Sequence, residues 1–365
     1  MNNIYILSTT FGIEAVIDEY ISCIWRPSYS EIGDFELYLN ATDKNVDLLR
    51  AGRYLVRSSD VSVSDGTATY KKVMVIKNLE ITTDAEEGDF LCVTGRELKF
   101  LLHQRIVWQQ TVLTGTAENA IRRLITENAI SPTDYNRTMP GVVLGATKGL
   151  DAAIEKQVTG EYLDIAIVDI CKTFNFGWEM YIQADPSLQY YQLVVDIYEG
   201  VDRSYEQTKR PFVVFSEQFE NLYNTEYQLN TEEYANTALI GGEGEGLERI
   251  YTTVGGDNWG FLRHETFVDA RDVSQNKGNE NEISSDVYLA LLAERGHENL
   301  ANLSITEGFS GEVLSDVAFK YGKDFFLGDL VSVINKYGIS KTVRVLSAIE
   351  SEDENGTKLL PQFNI

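Results

Sequence analysis

The sequence predicts a multidomain α+β protein, mainly β, in which one β module occurs twice. Three observations carry this. The first hundred residues and the last sixty are rich in strand-like alternation. The middle of the chain shifts to a helical period. A pattern near residues 52–80 recurs near 328–350. The length of 365 residues suits several modules, because single cores seldom grow beyond about 250–300 residues.

Asp34-Phe35-Glu36-Leu37-Tyr38-Leu39 alternates polar with apolar after Gly33, the pattern of a half-buried strand. Thr42 offers an N-cap to a short helix through Val46, Leu48 and Leu49, which Gly52 is expected to close. Tyr54–Arg57 and Val73–Ile81 are β-branched runs, with a hairpin signal at Ser64-Asp65-Gly66 between them. Thr116 can cap a helix whose Ala117, Ala120, Ile121, Leu124 and Ile125 share one face, leaving Glu118, Arg122, Arg123 and Glu127 to water. A second helix carries Leu163, Ile167, Ile170, Cys171 and Phe174 and should end at Gly177; Tyr190–Tyr198 then reads as a strand. Residues 111–205 therefore read as a small α/β module.

Beyond Ile240 the loop Gly241-Gly242-Glu243-Gly244-Glu245-Gly246 is expected to be flexible, and Gln275–Glu282 to be an exposed connection. Ser285 is placed as the cap of the longest helix, with Val287, Leu291, Leu300 and Leu303 on one stripe and a kink or break expected at Gly296. The repeat aligns Gly52-Arg53-Tyr54-Leu55 with Gly328-Asp329-Leu330-Val331. It also aligns Val73, Val75, Ile76, Leu79 and Glu80 with Val343, Val345, Leu346, Ile349 and Glu350, an offset of 343 − 73 = 270. Both copies run into acidic turns, Asp84–Gly88 and Asp353–Gly356.

Composition excludes several functions. Thirty-one basic against 56 acidic side chains give a net charge of −25, which repels a nucleic-acid backbone. The 20 Tyr and 16 Phe exclude an acidic disordered chain. No run approaches the roughly 18 apolar residues of a membrane span. Met1–Leu7 lacks the basic start of a secretory signal, so folding in a cytosol is expected. Cys23, Cys92 and Cys171 are odd in number and far apart, and read as small buried hydrophobes rather than disulfides or zinc ligands.

Candidate chemistry is sparse. His103, His264 and His297 show no metal-ligand spacing. The glycine loop lacks the Lys-Ser/Thr of a phosphate-binding loop, and Glu243 and Glu245 would repel phosphate. Asp269 and Asp272 are the best carboxylate pair, but their alternation with Arg263, His264 and Arg271 points to surface ion pairing. No catalytic, cofactor-binding or metal-binding residue is assigned, no cofactor is expected, and an enzyme is not the favoured reading.

Several loose motifs carry a family resemblance. They are Ile24-Trp25-Arg26, Glu31 to Leu37, Gly241 to Arg249, Arg263 to Asp272, Gly328 to Val331, Arg344-Val345, Glu350-Ser351 and Pro361-Gln362-Phe363. The chain resembles the tail-tip and baseplate hub proteins of long-tailed, siphovirus-type bacteriophages, specifically the N-terminal structural part of the tail-associated lysozyme class. The resemblance implies two related antiparallel β-barrel modules plus two smaller mixed α/β modules: 1–110, 111–205, 206–240 with 305–365, and an insertion at 241–304. It implies a homotrimeric hub that adapts a sixfold tail tube to a threefold tip and lets DNA pass without specific binding. The implied neighbours are the distal tail protein, the tape measure protein and fibre or spike proteins, and the implied location is the virion tail tip. The chain ends at Ile365 after the second β copy, so no lysozyme activity is expected. Two other readings are a secreted-type carbohydrate-binding or glycoside-hydrolysing β protein and the hub of a phage-derived tailocin or injection device.

Overall fold

A computed structural model of the chain describes residues 2–64, 67–84, 88–185, 190–278, 280, 282–313 and 319–364. The predicted turn residues Asp65 and Gly66, the acidic-turn residues Ala85 to Glu87, Asn279 and Asn281 of the polar run, and Ile365 lie outside them.

The first part contains β1 (Ile4–Leu7), β2 (Ile13–Ile17), β3 (Ser22–Arg26), β4 (Asp34–Asn40), α1 (Asp43–Leu48), β5 (Tyr54–Arg57), β6 (Val61–Ser64), β7 (Thr67–Tyr70), β8 (Met74–Asp84) and β9 (Gly88–Glu97). The middle holds β10 (Thr111–Thr116), α2 (Ala117–Ile125), β11 (Val142–Leu144), β12 (Ala153–Val158), α3 (Leu163–Phe174), β13 (Gly177–Asp185) and β14 (Tyr190–Tyr198). The remainder holds β15 (Val214–Ser216), β16 (Leu222–Asn230), β17 (Thr237–Gly241), β18 (Tyr251–Gly255), β19 (Glu265–Asp269), α4 (Ser285–Asn302), β20 (Thr306–Val313), β21 (Leu330–Ile334), β22 (Ser340–Asp353) and β23 (Gly356–Asn364). The protein is mainly β, built on large antiparallel sheets, as the alternation predicts.

Thirteen strands form one sheet in the order β16-β20-β23-β22-β3-β4-β9-β8-β5-β1-β2, with β21 beside β22 and β15 beside β21. Its two halves correspond strand for strand: β3-β4-β9-β8-β5 matches β16-β20-β23-β22-β21. Gly52 N donates to Ile76 O at 2.9 Å and Ile76 N to Arg53 O at 2.9 Å; Gly328 N donates to Val345 O at 2.7 Å and Val345 N to Asp329 O at 3.0 Å. Both glycines sit at positive φ, 86° and 87°, where a side chain is disfavoured. Each long strand carries an irregularity at the same place, between Ile76 and Asn78 and between Val345 and Ser347.

These pairings set the true offset at 345 − 76 = 269, one less than the sequence alignment. A one-residue slip turns every side chain to the other face. Met74 and Ile76, not Val73 and Val75, match Val343 and Val345, and each set is buried in the core of its own half. Val73 and Val75 face a different core. All four positions of the first copy are apolar, so apolar pattern alone could not set the register.

Other elements depart from expectation for local reasons. β5 and β8 pair directly, Tyr54 opposite Val75, while β6 and β7 form a hairpin that leaves this sheet and joins β13, Ile182 opposite Tyr70. α3 ends at Asn175 in the left-handed conformation, two residues before the expected Gly177, which opens β13. Ser284, not Ser285, caps α4, accepting from Val287 N. Gly296 causes no break: a Cβ there would lie 2.5 Å from Ile240 and 2.6 Å from Val254, so glycine lets α4 lie close on its sheet. α2 buries its predicted stripe, with Thr116 accepting from Asn119 N.

Candidate functional site

The two halves of the large sheet meet at a junction where β22 of the second pairs antiparallel with β3 of the first. Glu350 lies opposite Trp25, Ser351 opposite Ile24, Glu352 opposite Cys23 and Asp353 opposite Ser22. β22 can do this because it is long. One edge is covered by β23, and the other by β21 over Ser340–Arg344 and then by β3 over Glu350–Asp353.

Charge welds the junction. Arg57 on β5 is 4% exposed and donates to Asp60 at 2.8 Å and to Glu350 at 2.7 Å. Its guanidinium lies 5.4 Å from the Trp25 ring, and Trp25 Nε1 donates to Lys72 O at 3.1 Å. Burial disfavours the charged guanidinium, but the two carboxylates outweigh it and hold its pKa above the ordinary arginine value. Buried Lys99 donates to Ser28 O at 2.6 Å and Trp178 O at 3.2 Å, and lies 3.2 Å from Glu97. Glu97 also accepts from Gly33 N at 2.6 Å. Burial pushes the Glu97 carboxyl up, and Lys99 and the backbone donors oppose it.

Between β3 and β4 the chain passes through Tyr29, which is fully buried. Its hydroxyl donates to Asn175 O at 2.9 Å and accepts from Gly200 N at 3.0 Å. Burial lifts this phenol to about 12, so it stays a donor at neutral pH. Gly177 and Gly328 pack on its ring; a Cβ at either would lie 2.1–2.2 Å from ring carbons. A single segment thus holds both half-sheets and the α/β unit together.

The carboxylate pair does not form acid–base machinery. Asp269 accepts from Arg271 and Arg249, each at 2.6 Å, and the Arg271 hydrogen bond leads in lowering its pKa to about 2. Asp272 accepts from Arg295 at 2.7 Å, and Arg263 turns to Glu265 rather than to either aspartate. The glycine loop is held at its start: Arg249 donates to Gly241 O and Gly242 O, and the Tyr288 hydroxyl accepts from Glu243 N at 2.7 Å. His103 stacks between Phe100 and Tyr162, with Nδ1 2.9 Å from Asp164. His264 and His297 are exposed. Cys23 and Cys171 are buried, and burial raises both thiols to about 12. Among the described residues no group of three or more His, Cys, Asp or Glu is arranged to hold a metal ion. No helix among them is long and apolar enough to cross a membrane.

Sequence reading missed the polar groups that matter most. Glu118, assigned to the water-facing side of α2, is 1% exposed and accepts from the backbone N–H groups of Lys148, Gly149 and Leu150 at 2.7–2.9 Å. Lys99, Glu97 and Tyr29 were missed because their backbone partners lie 64 to 171 residues away in sequence.

The fold is shared with phage tail proteins. The chain belongs to the family described as Siphovirus ReqiPepy6 Gp37-like protein, whose model matches residues 3–363. Three solved structures share the fold. The tail protein from Neisseria meningitidis MC58 is 14% identical, with 100% of this chain and 96% of that one covered and a TM-score of 0.56. The prophage MuSo2 43 kDa tail protein from Shewanella oneidensis is 12% identical, with 99% and 98% covered and a TM-score of 0.58. The prophage tail protein gp18 from Listeria monocytogenes EGD-e is 13% identical, with 99% and 94% covered and a TM-score of 0.51. No curated protein matches. The resemblance to phage tail-tip and baseplate proteins read from the sequence is borne out.

Proposed function

We propose that this chain is a structural component of a phage tail tip, acting as a homotrimeric hub that adapts a sixfold tail tube to a threefold tip and lines the DNA exit path. One observation carries the reading: the chain contains two equivalent half-sheets joined edge to edge. Three chains would then present six similar units, so a threefold assembly could face a sixfold ring. In this reading residues 1–110 and 206–240 with 305–365 are the two related β modules, 111–205 is the α/β module, and 241–304 is an insertion in the second. The distal tail protein, the tape measure protein and fibre or spike proteins are the proposed neighbours.

The charge acquires a role here. Glu36, Glu80 and Glu226 are exposed on the outer face of the sheet, the face away from its cores, and the net charge is −25. An anionic wall repels a phosphate backbone and lets DNA slide past without holding it. Arginine capture of Asp269 gives a glycoside-hydrolase reading no support. The test is oligomeric mass with negative-stain imaging. A threefold ring with a central channel is expected; a compact monomer at high concentration, alone and with tail-tube protein added, would refute the hub.

A further inference from the structure

The small sheet of β17, β18 and β19 is covered on one face only. Along its strands Ile240, Val254 and Val268 turn inward to the core shared with α4, while Leu239, Tyr251 and Phe267 turn away from it. These last three are 45–52% exposed. Leu239 lies opposite Phe267 across β17 and β19, and Gly241 opposite Tyr251 across β17 and β18, so the three strands share one outer surface. Arg249 lies on that surface, its guanidinium 5.6 Å from the Tyr251 ring and 5.5 Å from the Phe267 ring. A Cβ at Gly241 would come 2.7 Å from this guanidinium, so glycine is what lets the arginine lie against the sheet. Asp269, Gly241 O and Gly242 O accept its hydrogen bonds. The centre of the face is therefore apolar, and its one cation is already neutralised.

Loops at the two ends of the strands extend this surface. Leu247 stands at one end, and Trp259, Phe261 and Leu262 at the other, all 71–106% exposed. Single exposed apolar side chains are ordinary. Seven between Leu239 and Phe267 are not, and such clusters mark contact surfaces.

We propose that the outer face of β17–β19 docks the apolar side of a basic amphipathic helix from a partner protein. Charge selects the partner. Between residues 239 and 272 three arginines stand against seven acidic side chains, a balance of −4. Arg249 and Arg271 are engaged by Asp269, and Arg263 by Glu265. Exposed Glu245 and Glu248 at one end of the strands, and Asp257 at the other, are left without an ion pair among the described residues. An apolar centre with unpaired carboxylates at both ends complements an apolar stripe flanked by lysine or arginine. A second copy of this chain would instead set two faces of the same sign against each other. A helix suits the surface because the same three strands already seat one, α4, on their inner face. Strands spaced about 4.8 Å apart span, over three, about the 10 Å diameter of one helix. The inference goes beyond the hub reading and does not rest on it.

The test is fluorescence anisotropy on the full chain with a labelled alanine-based helix of about 18 residues, carrying leucine at i, i+4, i+7 and i+11 and lysine on its other faces. Two controls accompany it: a scrambled peptide of the same composition, and the ordered peptide with glutamate in place of lysine. The ordered lysine peptide should bind at least about tenfold more tightly than either control. Phe267→Ser and Leu239→Ser should each weaken it about tenfold, the loss of one buried apolar side chain. Circular dichroism should show both variants folded, since both side chains point away from α4. Glu245→Gln with Glu248→Gln should weaken binding and flatten its dependence on salt. Equal binding of the scrambled peptide, binding indifferent to Phe267→Ser and Leu239→Ser, or no binding of the ordered peptide would overturn the docking face. So would self-association of the chain that Phe267→Ser abolishes, because a second copy would then be the occupant.

Discussion

Replacing Arg57 with alanine cuts the weld between the half-sheets at its centre. The substitution leaves Asp60, with its side chain 9% exposed, and Glu350, 21% exposed, facing each other across the vacated position. Breaking a buried ion pair from one side costs about 3–5 kcal/mol, because the remaining charge stays desolvated. Lys72 remains 3.3 Å from Asp60 and 3.7 Å from Glu350 and takes up part of that cost, which puts the expectation near the lower end, about 3 kcal/mol. Arg57→Lys should recover little, since one ammonium cannot reproduce a fork that engages two carboxylates and covers Trp25. The assay is urea unfolding followed by tryptophan fluorescence, run as a double-mutant cycle with Glu350→Gln. A coupling energy of about 1–3 kcal/mol is expected for groups sharing one network. A coupling under about 0.5 kcal/mol, the scatter of independent sites, would refute the claim that this pair holds the two halves together.

Three further outcomes follow from the same geometry. Gly52→Ala and Gly328→Ala both place a side chain at positive φ, costing about 1–2 kcal/mol. Only at Gly328 does the new methyl meet the Tyr29 ring, at 2.2 Å, adding about 1–3 kcal/mol of overpacking; equal losses in thermal unfolding would contradict the packing of Tyr29 on Gly328. Gly296→Ala would gain about 1 kcal/mol in an ordinary helix, yet here it should destabilise, since its methyl would collide with Ile240 and Val254; a raised thermal midpoint would show that α4 lies farther from its sheet. Asp269 should titrate near pH 2 in a carboxyl NMR titration, below the unfolded value near 3.9. Its depressed pKa means its stabilisation is present above about pH 4 and is lost as pH falls through 2; Arg271→Ala should move the midpoint upward, and an unmoved midpoint would remove Arg271 as the cause.

The local elements were legible because their causes are local. Thr42 and Thr116 cap helices by accepting from an N–H three residues on, and the apolar stripe of α2 needs only its own period. The glycines at 52 and 328 announce themselves because both lie at positive φ before a strand. Asp269 and Arg271 lie two residues apart, so that ion pair is readable from alternation, whereas Arg249, 20 residues upstream, is not. The burial of Glu118 was not legible, since its three N–H partners lie 30 to 32 residues downstream.

By itself the sequence determined the mainly β class, the helices of the middle region, the presence of a repeated strand pair, and a net charge of −25. Tertiary structure alone decided the register of that repeat, the departure of β6 and β7 to a second sheet, and the β22–β3 junction. The reason is the same in each case. Strand pairing is chosen by backbone hydrogen bonds between residues distant in the chain, and those bonds are indifferent to side-chain identity. An apolar run such as Val73-Met74-Val75-Ile76 fits either face equally well until a partner such as Gly52 N, bonded to Ile76 O, selects one.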